Sequence, residues 1–259
     1  MTHHVTGASR FVFGFSLLIL FHAPSRAAAQ DARTLLERFL SKVSAVSVND
    51  LAVTQEIVIV DPSGSGQKVS GEQRLYLKPP DKRRLETQLE STRVVTLLNG
   101  SRLVMQSEGK AREAPPGDRA RDRRDLIFPF QRSAQDLLAQ WQSHGIRTDL
   151  VHQGTHGGRA VTVIGATPGD QSLPSVWLDP EYGVVRLVTR EETPAGLKRI
   201  ELSLSDFRPM VGGISYPYKQ ETLLDGQPFS VVSVKSVRVN SGLSDELFDP
   251  DRLLRESQR

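Results

Sequence analysis

The chain of 259 residues carries 33 basic and 30 acidic side chains, which give it a formal net charge of +3, and it contains no cysteine. Without cysteine it can have no disulfide scaffold, no thiolate metal site and no thiol chemistry, so an apolar core has to stabilise it. The small net charge provides no strong overall attraction to nucleic acid.

The first residues have the organisation of a cleaved secretory signal peptide spanning 1–29. Arg10 makes the leading segment positive, an apolar run follows from Phe11 to Phe21, and a small residue, Ala29, ends the segment. The apolar run is shorter than the ~20 residues that cross a bilayer. No cysteine is present to carry acyl chains. The sequence therefore predicts an exported, unanchored domain over residues 30–259.

An amphipathic helix is predicted from Asp31 to Val46, with Asp31 as its cap, because apolar residues recur there at helical spacing. The predicted apolar face consists of Leu35, Leu36, Phe39, Leu40 and Val43. Alternating segments between turn residues then predict strands at 51–60, 69–78, 82–89, 93–98 and 101–106. The last two form a hairpin through Asn99-Gly100, a dipeptide that favours a type I′ turn.

The middle of the chain is predicted to contain a charged loop and a second helix. The segment 108–125 has no apolar face to bury, so it is predicted to be a solvated loop, with a docking patch for an acidic partner or lipid head groups as the alternative. Ser133 to Trp141 is predicted to be a helix, with Ser133 as its N-cap and Asp136 completing a capping box.

Strands dominate the rest of the chain, and short turns connect them. The predicted strands are 146–152, 159–164, 175–178, 183–191, 198–207, 214–223 and 229–239. Short connections favour antiparallel neighbours. The predicted fold class is mainly β (α+β): one highly curved antiparallel sheet, an unclosed β-barrel of about ten to twelve strands. Two or three helices are expected to cover its concave apolar face.

The search for catalytic chemistry is negative. The sequence has no Gly-x-Ser-x-Gly elbow, Gly-rich phosphate loop or His-Glu-x-x-His motif. His152 and His156 have the spacing of a metal site on a helix, but neighbouring glycines indicate a strand end and a turn instead. We predict no catalytic residue, no metal and no cofactor, and an exported hydrolase is the disfavoured alternative.

Large aliphatic residues recur along one face of several predicted strands. They can form an ordinary core under the helices, or part of that face can line a cavity for an apolar ligand, since two short helices cannot fill a strongly curved sheet. The candidate cavity residues are Leu75, Leu77, Val95, Leu97, Leu103, Met105, Val161, Val163, Val176, Leu178, Val185, Leu187, Ile200, Leu202 and Leu204.

Three segments resemble the LolA-like family, the periplasmic carriers of outer-membrane lipoproteins. Gly71 to Glu86 (GEQRLYLKPPDKRRLE) is similar to the family's early strand pair, and it follows an amphipathic helix and a strand containing Thr54-Gln55-Glu56. Val176 to Gly183 (VWLDPEYG) and Leu243 to Phe248 (LSDELF) resemble later family segments. Each motif is degenerate, and their order along nearly the whole mature chain carries the resemblance.

The resemblance implies a LolA-like lipid- or lipoprotein-binding domain over residues 30–259. Such a protein is a soluble, monomeric periplasmic carrier that shuttles acyl chains of lipoproteins or other lipids toward the outer membrane. Its expected partners are those acyl chains and membrane-bound donor and acceptor proteins, with no nucleic acid. Leu35, Leu36, Phe39 and Leu40 would form the lid, and Arg74, Arg83 and Arg84 would contact the rim or pin the helices.

The chain also departs from the family pattern. It is longer than a typical carrier, it has a basic insert at 115–125, and its 6% aromatic content matches an aromatic-rich cavity poorly. The cargo therefore stays open. The alternative function is a LolA-fold regulatory or scaffolding module of the envelope that senses lipid or binds a protein without transport. Such regulators usually add a second domain, whereas eleven residues follow Phe248, which favours the carrier.

Overall fold

The computed structural model describes residues 26–61, 66–115, 127, 129–193 and 196–257. The apolar run of the predicted signal peptide and most of the charged insert lie outside these described residues.

The described residues form one antiparallel sheet of thirteen strands with three α-helices. The helices are α1 (Arg26–Ser44), α2 (Ala134–Ser143) and α3 (Pro250–Glu256). The strands are β1 (Leu51–Val60), β2 (Lys68–Lys78), β3 (Lys82–Leu89), β4 (Thr92–Asn99), β5 (Arg102–Ser107), β6 (Lys110–Glu113), β7 (Val151–His156), β8 (Arg159–Ile164), β9 (Ser175–Asp179), β10 (Gly183–Thr193), β11 (Gly196–Pro209), β12 (Ser215–Leu224) and β13 (Gln227–Val239).

The sheet order is β6-β5-β4-β3-β2-β1-β13-β12-β11-β10-β9-β8-β7. Pairing of β1 with β13 joins the first half of the chain to the second. The edge strands β6 and β7 do not pair with each other, so the sheet stays open. This confirms the predicted mainly β, unclosed antiparallel fold.

One face of the sheet, here called the inner face, carries the main core under α1 and α2. Its register places Val53 opposite both Leu75 and Val237, and the same cluster continues to Leu178 and Leu187 in the second half. Since a single cluster joins residues from both halves of the sheet, the sheet curves around the two helices.

The opposite face, here called the outer face, has a core of its own. The 3₁₀ turn Asp245–Phe248 and helix α3 cover β4 and β5, where Val95, Leu97 and Val104 are buried. Helices α1 and α2 are the two that the sequence predicts on the concave face. Helix α3 lies on the outer face, because β4 carries buried aliphatic residues on both of its faces and the C-terminal segment covers the outer ones.

Helix α2 forms as its capping residues predict. Ser133 has extended backbone angles, and its Oγ accepts a hydrogen bond from the Asp136 N–H at 3.1 Å. Leu137 and Trp141 are buried on the side that faces the sheet. The predicted cap of α1 is wrong, because α1 begins at Arg26 and Asp31 therefore lies inside it.

Among the strands, two predictions depart most from the structure. The strand predicted from Ile146 begins at Val151, because the Ile146 N–H closes the end of α2 by donating to the Trp141 carbonyl at 3.0 Å. The loop predicted from Glu108 contains strand β6, because Glu108 and Gly109 both have positive φ and turn the chain back onto β5.

The β4–β5 hairpin is confirmed, but its turn type is not. Asn99 pairs with Arg102, so the two central residues of the turn are Gly100 and Ser101, and of these Gly100 alone has positive φ. Glycine with positive φ at the first central position is the pattern of a type II′ turn, whereas type I′ requires positive φ at both positions.

Candidate functional site

The candidate site is a mainly apolar groove of about 430 Å³ between α1 and strands β7–β9, here called the helix groove. Leu35 and Phe39 of α1 line one wall, and Leu178 of β9 lies on the opposite side. The remaining lining residues are Arg38, Ser41, Lys42, Gln153, Ala160, Val161, Thr162 and Pro180. The volume lies within the ~300–1,000 Å³ range of small-molecule sites.

The β9–β10 turn positions α1 over this groove. Gly183 has a φ of +79°, and its Cα lies so close to the Phe39 ring that a Cβ would overlap it. The Lys42 Nζ donates to the Pro180 carbonyl at 3.3 Å. One apolar and one polar contact therefore seat the C-terminal half of α1 on a single turn.

A buried carboxylate holds that turn in shape. Asp179 accepts hydrogen bonds from the backbone N–H groups of Glu181 and Tyr182 at 2.8 and 3.1 Å, and it pairs with Arg159 at 2.6 Å. Burial raises the pKa of the Asp179 carboxyl, but Arg159 and the two N–H donors outweigh it, so the net pKa is lowered. The carboxylate is therefore charged at neutral pH and rigidifies the turn.

A second buried carboxylate fixes the other end of the α1 connection, where the chain enters β1. Asp50 accepts the backbone N–H groups of Ser241, Gly242 and Leu243 at 2.7, 2.9 and 3.2 Å and the Ser241 hydroxyl at 2.9 Å. Burial opposes ionisation, but these donors together lower the pKa of the Asp50 carboxyl. The connection is thereby tied to the segment that follows β13.

The mouth of the helix groove is basic. Arg38 and Lys42 lie one helical turn apart on α1 and both line the groove. Its described lining residues include no Asp or Glu. The arrangement combines apolar walls with two cations at the edge, which suits a ligand with a hydrophobic body.

The inner face also carries a short row of polar side chains. The Gln55 Nε2 donates to Gln73 Oε1 at 2.9 Å, and the Gln73 Nε2 donates to Thr87 Oγ1 at 3.0 Å. These three side chains cross β1, β2 and β3 within an otherwise apolar surface. The apolar lining is therefore confined to parts of the inner face and does not run over all of it.

Ten of the fifteen predicted cavity residues share the inner face. The sheet register places on it Leu75, Leu77, Leu103, Met105, Val176, Leu178, Leu187, Ile200, Leu202 and Leu204. Among these ten, Leu178 lines the helix groove and Leu77 lines a small cavity of about 30 Å³ beside Phe130. The predicted lid divides similarly: Leu35 and Phe39 line the groove, while Leu36 and Leu40 are buried in the core.

The other five predicted cavity residues have outer-face register or pack in outer-face clusters. They are Val95, Leu97, Val161, Val163 and Val185. Val161 also lines the helix groove, whereas the structure places the other four away from it. Both β4 and β8 carry aliphatic residues at odd and even positions, so alternation alone does not show which set faces the helices. In β10 a bulge between Val184 and Arg186 changes the alternation and turns Val185 outward.

The three candidate arginines occupy different places. Arg83 is buried on the inner face and lines the small cavity with Phe130. Arg84 lies on the outer face, where it pairs with Glu86 at 2.7 Å and donates to the Leu247 carbonyl at 3.2 Å. It pins the C-terminal turn and not α1. Arg74 shares an outer-face pocket with Glu86, away from the helix groove.

Sequence reasoning missed Arg38 and Lys42. The sequence does show that these residues lie on the same side of α1 as the apolar ones. Arg38 and Phe39 come three and four positions after Leu35, and Lys42 comes one helical turn later. Basic residues beside an apolar stripe are common on surface helices, so this pattern identifies a groove only once the neighbouring strands are known.

The two histidines of the sequence pattern lie at either end of strand β7, and His156 is its last residue before the turn to β8. His152 Nδ1 lies 3.0 Å from the Ala166 carbonyl, and the His156 ring lies edge-on to Trp177 with 5.7 Å between centroids. Across the described part of the chain, no group of three or more His, Cys, Asp or Glu side chains is placed to hold a metal ion. None of the described helices is long and apolar enough to cross a membrane.

Three solved structures share this architecture at low sequence identity. One is an outer membrane lipoprotein-sorting protein domain from Vibrio parahaemolyticus, with a TM-score of 0.58 and 12% identity over 88% of this chain and 100% of that one. The second is a DUF1329 family protein from Desulfovibrio piger, with a TM-score of 0.56 and 14% identity over 87% of this chain and 99% of that one. The third is a LolA superfamily protein from Nitrosomonas europaea, with a TM-score of 0.52 and 14% identity over 85% of this chain and 98% of that one. No protein-family profile and no curated protein matches the sequence. The chain therefore has the fold of LolA-like proteins, which confirms the resemblance at the level of architecture.

Proposed function

We propose that this protein is a periplasmic carrier that binds acyl chains of lipoproteins or other lipids and moves them toward the outer membrane. The helix groove between α1 and β7–β9 is the observation that supports it, because its walls combine Leu35, Phe39 and Leu178 under a helix that can serve as a lid. Two of the solved structures with this fold are described as lipoprotein-sorting and LolA superfamily proteins.

The energetics suit a carrier. Each buried CH₂ contributes ~0.8 kcal/mol, so a long acyl chain gains on the order of 10 kcal/mol before the costs of ordering and of moving the helix. That gain is large enough to hold a chain in water. It comes from non-directional apolar contacts, so a competing apolar cavity on an acceptor can take the chain over.

Helix α1 is suited to be the part that moves. Its buried side chains, which include Leu36, Leu40 and Val43, are apolar. An acyl chain can replace such contacts with others of the same kind, whereas it could not replace a buried polar network. The clamp of Asp50 fixes the chain just after α1, so the helix can tilt about that point while the sheet stays in place.

Native mass spectrometry of protein purified from its own cell envelope tests lipid binding. Leu35→Arg places a charge in the groove at a half-buried position, so we expect co-purified acyl species to be lost. The matched control is Leu197→Arg, at a site that is 57% exposed in β11 and outside the groove, which should retain them. The regulatory or scaffolding module would be favoured if wild-type protein carried no lipid, bound none when lipid was added, and co-purified with a stoichiometric protein partner.

Export is part of the same proposal and has its own test. Protein recovered from a periplasmic fraction should begin at Gln30, as the small residues before that position predict. N-terminal sequencing checks this directly. A chain that retains Arg10 and the following apolar run would contradict both the cleavage site and the unanchored carrier.

A further inference from the structure

We propose that the helix groove selects a single acyl chain that ends in a carboxylate, and that Arg38 and Lys42 bind this head group. This inference rests on the proposed function, because it specifies the class of lipid that the groove binds. It is drawn from the charge and the size of the groove.

The charge at the mouth of the groove is one-sided. Arg38 and Lys42 contribute two positive charges to the lining, and no acidic side chain is among the described lining residues. Two like charges one helical turn apart repel each other. An anionic group placed between them would relieve that repulsion and form charge-assisted hydrogen bonds with both.

Acidic side chains on the two elements that flank the mouth of the groove are paired with other cations. On α1, Glu37 pairs with Arg33 at 2.8 Å. On the β9–β10 turn, Asp179 and Glu181 both pair with Arg159, at 2.6 and 2.7 Å. These pairs leave the field at the mouth of the groove positive.

Lys42 keeps donors for a ligand. Its Nζ donates to the neutral Pro180 carbonyl at 3.3 Å, which uses one of the three donors of an ammonium group. Arg38 is exposed and carries five N–H donors in a planar fork that matches a carboxylate. The two side chains can therefore hold one carboxylate without breaking the contact that seats α1.

The size of the groove favours one chain with a small head. Its volume of about 430 Å³ is in the lower part of the range for small-molecule sites. A lipid with two or three chains would require α1 to move further from β9. A carboxylate adds little bulk to the end of a chain, so a fatty acid fits the groove with the least rearrangement.

The test compares two probes of equal chain length, dodecanoate and 1-dodecanol, by isothermal titration calorimetry below their aggregation concentrations. We expect wild-type protein to bind dodecanoate at least about tenfold more tightly than dodecanol. In Arg38→Gln/Lys42→Gln this preference should fall to about threefold or less, with little change in dodecanol binding. Raising the salt concentration should weaken dodecanoate binding to wild-type protein selectively.

Two matched variants separate charge from local structure. Arg38→Lys/Lys42→Arg keeps both charges and should keep the preference. Arg33→Gln/Glu37→Gln removes an ion pair from the same helix outside the groove, leaves the net charge unchanged and should also keep the preference. Equal binding of both probes to wild-type protein overturns the carboxylate selectivity and leaves the proposed function intact. Binding of neither probe contradicts the proposed function as well.

Discussion

The ring of Phe39 on α1 packs directly against the Cα of Gly183, in the space that the Cβ of any other residue would occupy. Gly183 also has a φ of +79°, a left-handed conformation that favours glycine. One residue at the start of β10 therefore both turns the chain and makes room for an aromatic ring of the helix.

Gly183→Ala should lift the C-terminal half of α1. The positive φ alone costs about 1–2 kcal/mol for an alanine, and the overlap with Phe39 adds to it. We expect the free energy of unfolding to fall by more than about 2 kcal/mol, and proteolysis within α1 to become faster. Urea unfolding and limited proteolysis measure the two effects.

The control for this prediction is Gly157→Ala in the β7–β8 turn. Gly157 has a φ of +56°, and a Cβ there would meet no atom within 4 Å. The free energy of unfolding of this variant should fall only by the backbone cost of about 1–2 kcal/mol, and α1 should resist proteolysis as it does in wild type. Equal losses in both variants, with unchanged proteolysis of α1, would show that Phe39 does not depend on Gly183.

Asp50→Asn should weaken the clamp between the start of β1 and the segment after β13. A neutral amide accepts the N–H groups of Ser241, Gly242 and Leu243 less strongly than a carboxylate does, so we expect a loss of about 2 kcal/mol at pH 7. Because the pKa of Asp50 is lowered in the folded state, its contribution is present above the unfolded value near ~3.9 and is lost as pH falls through the folded value.

The difference in stability between wild type and Asp50→Asn should therefore shrink as the pH is lowered below about 4. Urea unfolding at pH 7 and pH 3 measures it. Asp149→Asn is the control, because Asp149 pairs with Arg147 on the surface and should contribute little at either pH. A difference for Asp50→Asn that persists undiminished at pH 3 would show that charge on Asp50 is not what stabilises the clamp.

Strand positions could be predicted well from the sequence where turn chemistry marks both ends. Strands β1 and β3 have the predicted bounds, since Asp61 follows β1 and Pro79-Pro80 precedes β3. The Ser133 cap of α2 is likewise local, because it depends on residues three positions apart. Local signals of this kind do not depend on which strands become neighbours.

The face of each strand could not be predicted with equal success, because it depends on register and on bulges. Leu97 and Leu98 are adjacent and both buried, one under Phe248 and the other on the inner face. The candidate site was missed in part for the same reason: Arg38 and Lys42 become a basic mouth only when β7–β9 lie opposite α1.

The buried ion pair of Arg186 and Glu201 should stabilise the outer face of the second half of the sheet. Arg186 Nε lies 2.9 Å from Glu201 Oε1, and the Arg186 guanidinium stacks 4.4 Å from the Trp177 ring centre. Arg186→Met leaves the buried carboxylate with Arg199 as its cation, at 3.2 Å. We expect a loss of about 3 kcal/mol by urea unfolding.

Arg208→Met is the matched control for this pair. Arg208 also contacts an acid and an aromatic ring, Asp206 at 2.7 Å and Tyr218 at 4.3 Å, but its side chain is 56% exposed. Its replacement should have a much smaller effect. In Arg186→Met/Glu201→Leu no buried charge is left behind, so part of the stability should return. A double variant less stable than Arg186→Met would contradict this account.

Leu97→Ala should reduce stability without affecting acyl binding. Leu97 is fully buried on the outer face in a cluster with Phe248 and Leu253, so the vacated volume should cost about 2–5 kcal/mol. The helix groove is on the other face, and the dodecanoate affinity should therefore equal that of wild type when both proteins are folded.

Leu35→Arg should show the converse, a lost affinity with a small change in the free energy of unfolding, because Leu35 is only half-buried. Calorimetric titration and urea unfolding of the two variants measure both quantities. If Leu97→Ala weakened dodecanoate binding as much as Leu35→Arg, the ligand would have to contact the outer face or depend on the C-terminal cover. The assignment of the site to the helix groove would then be wrong.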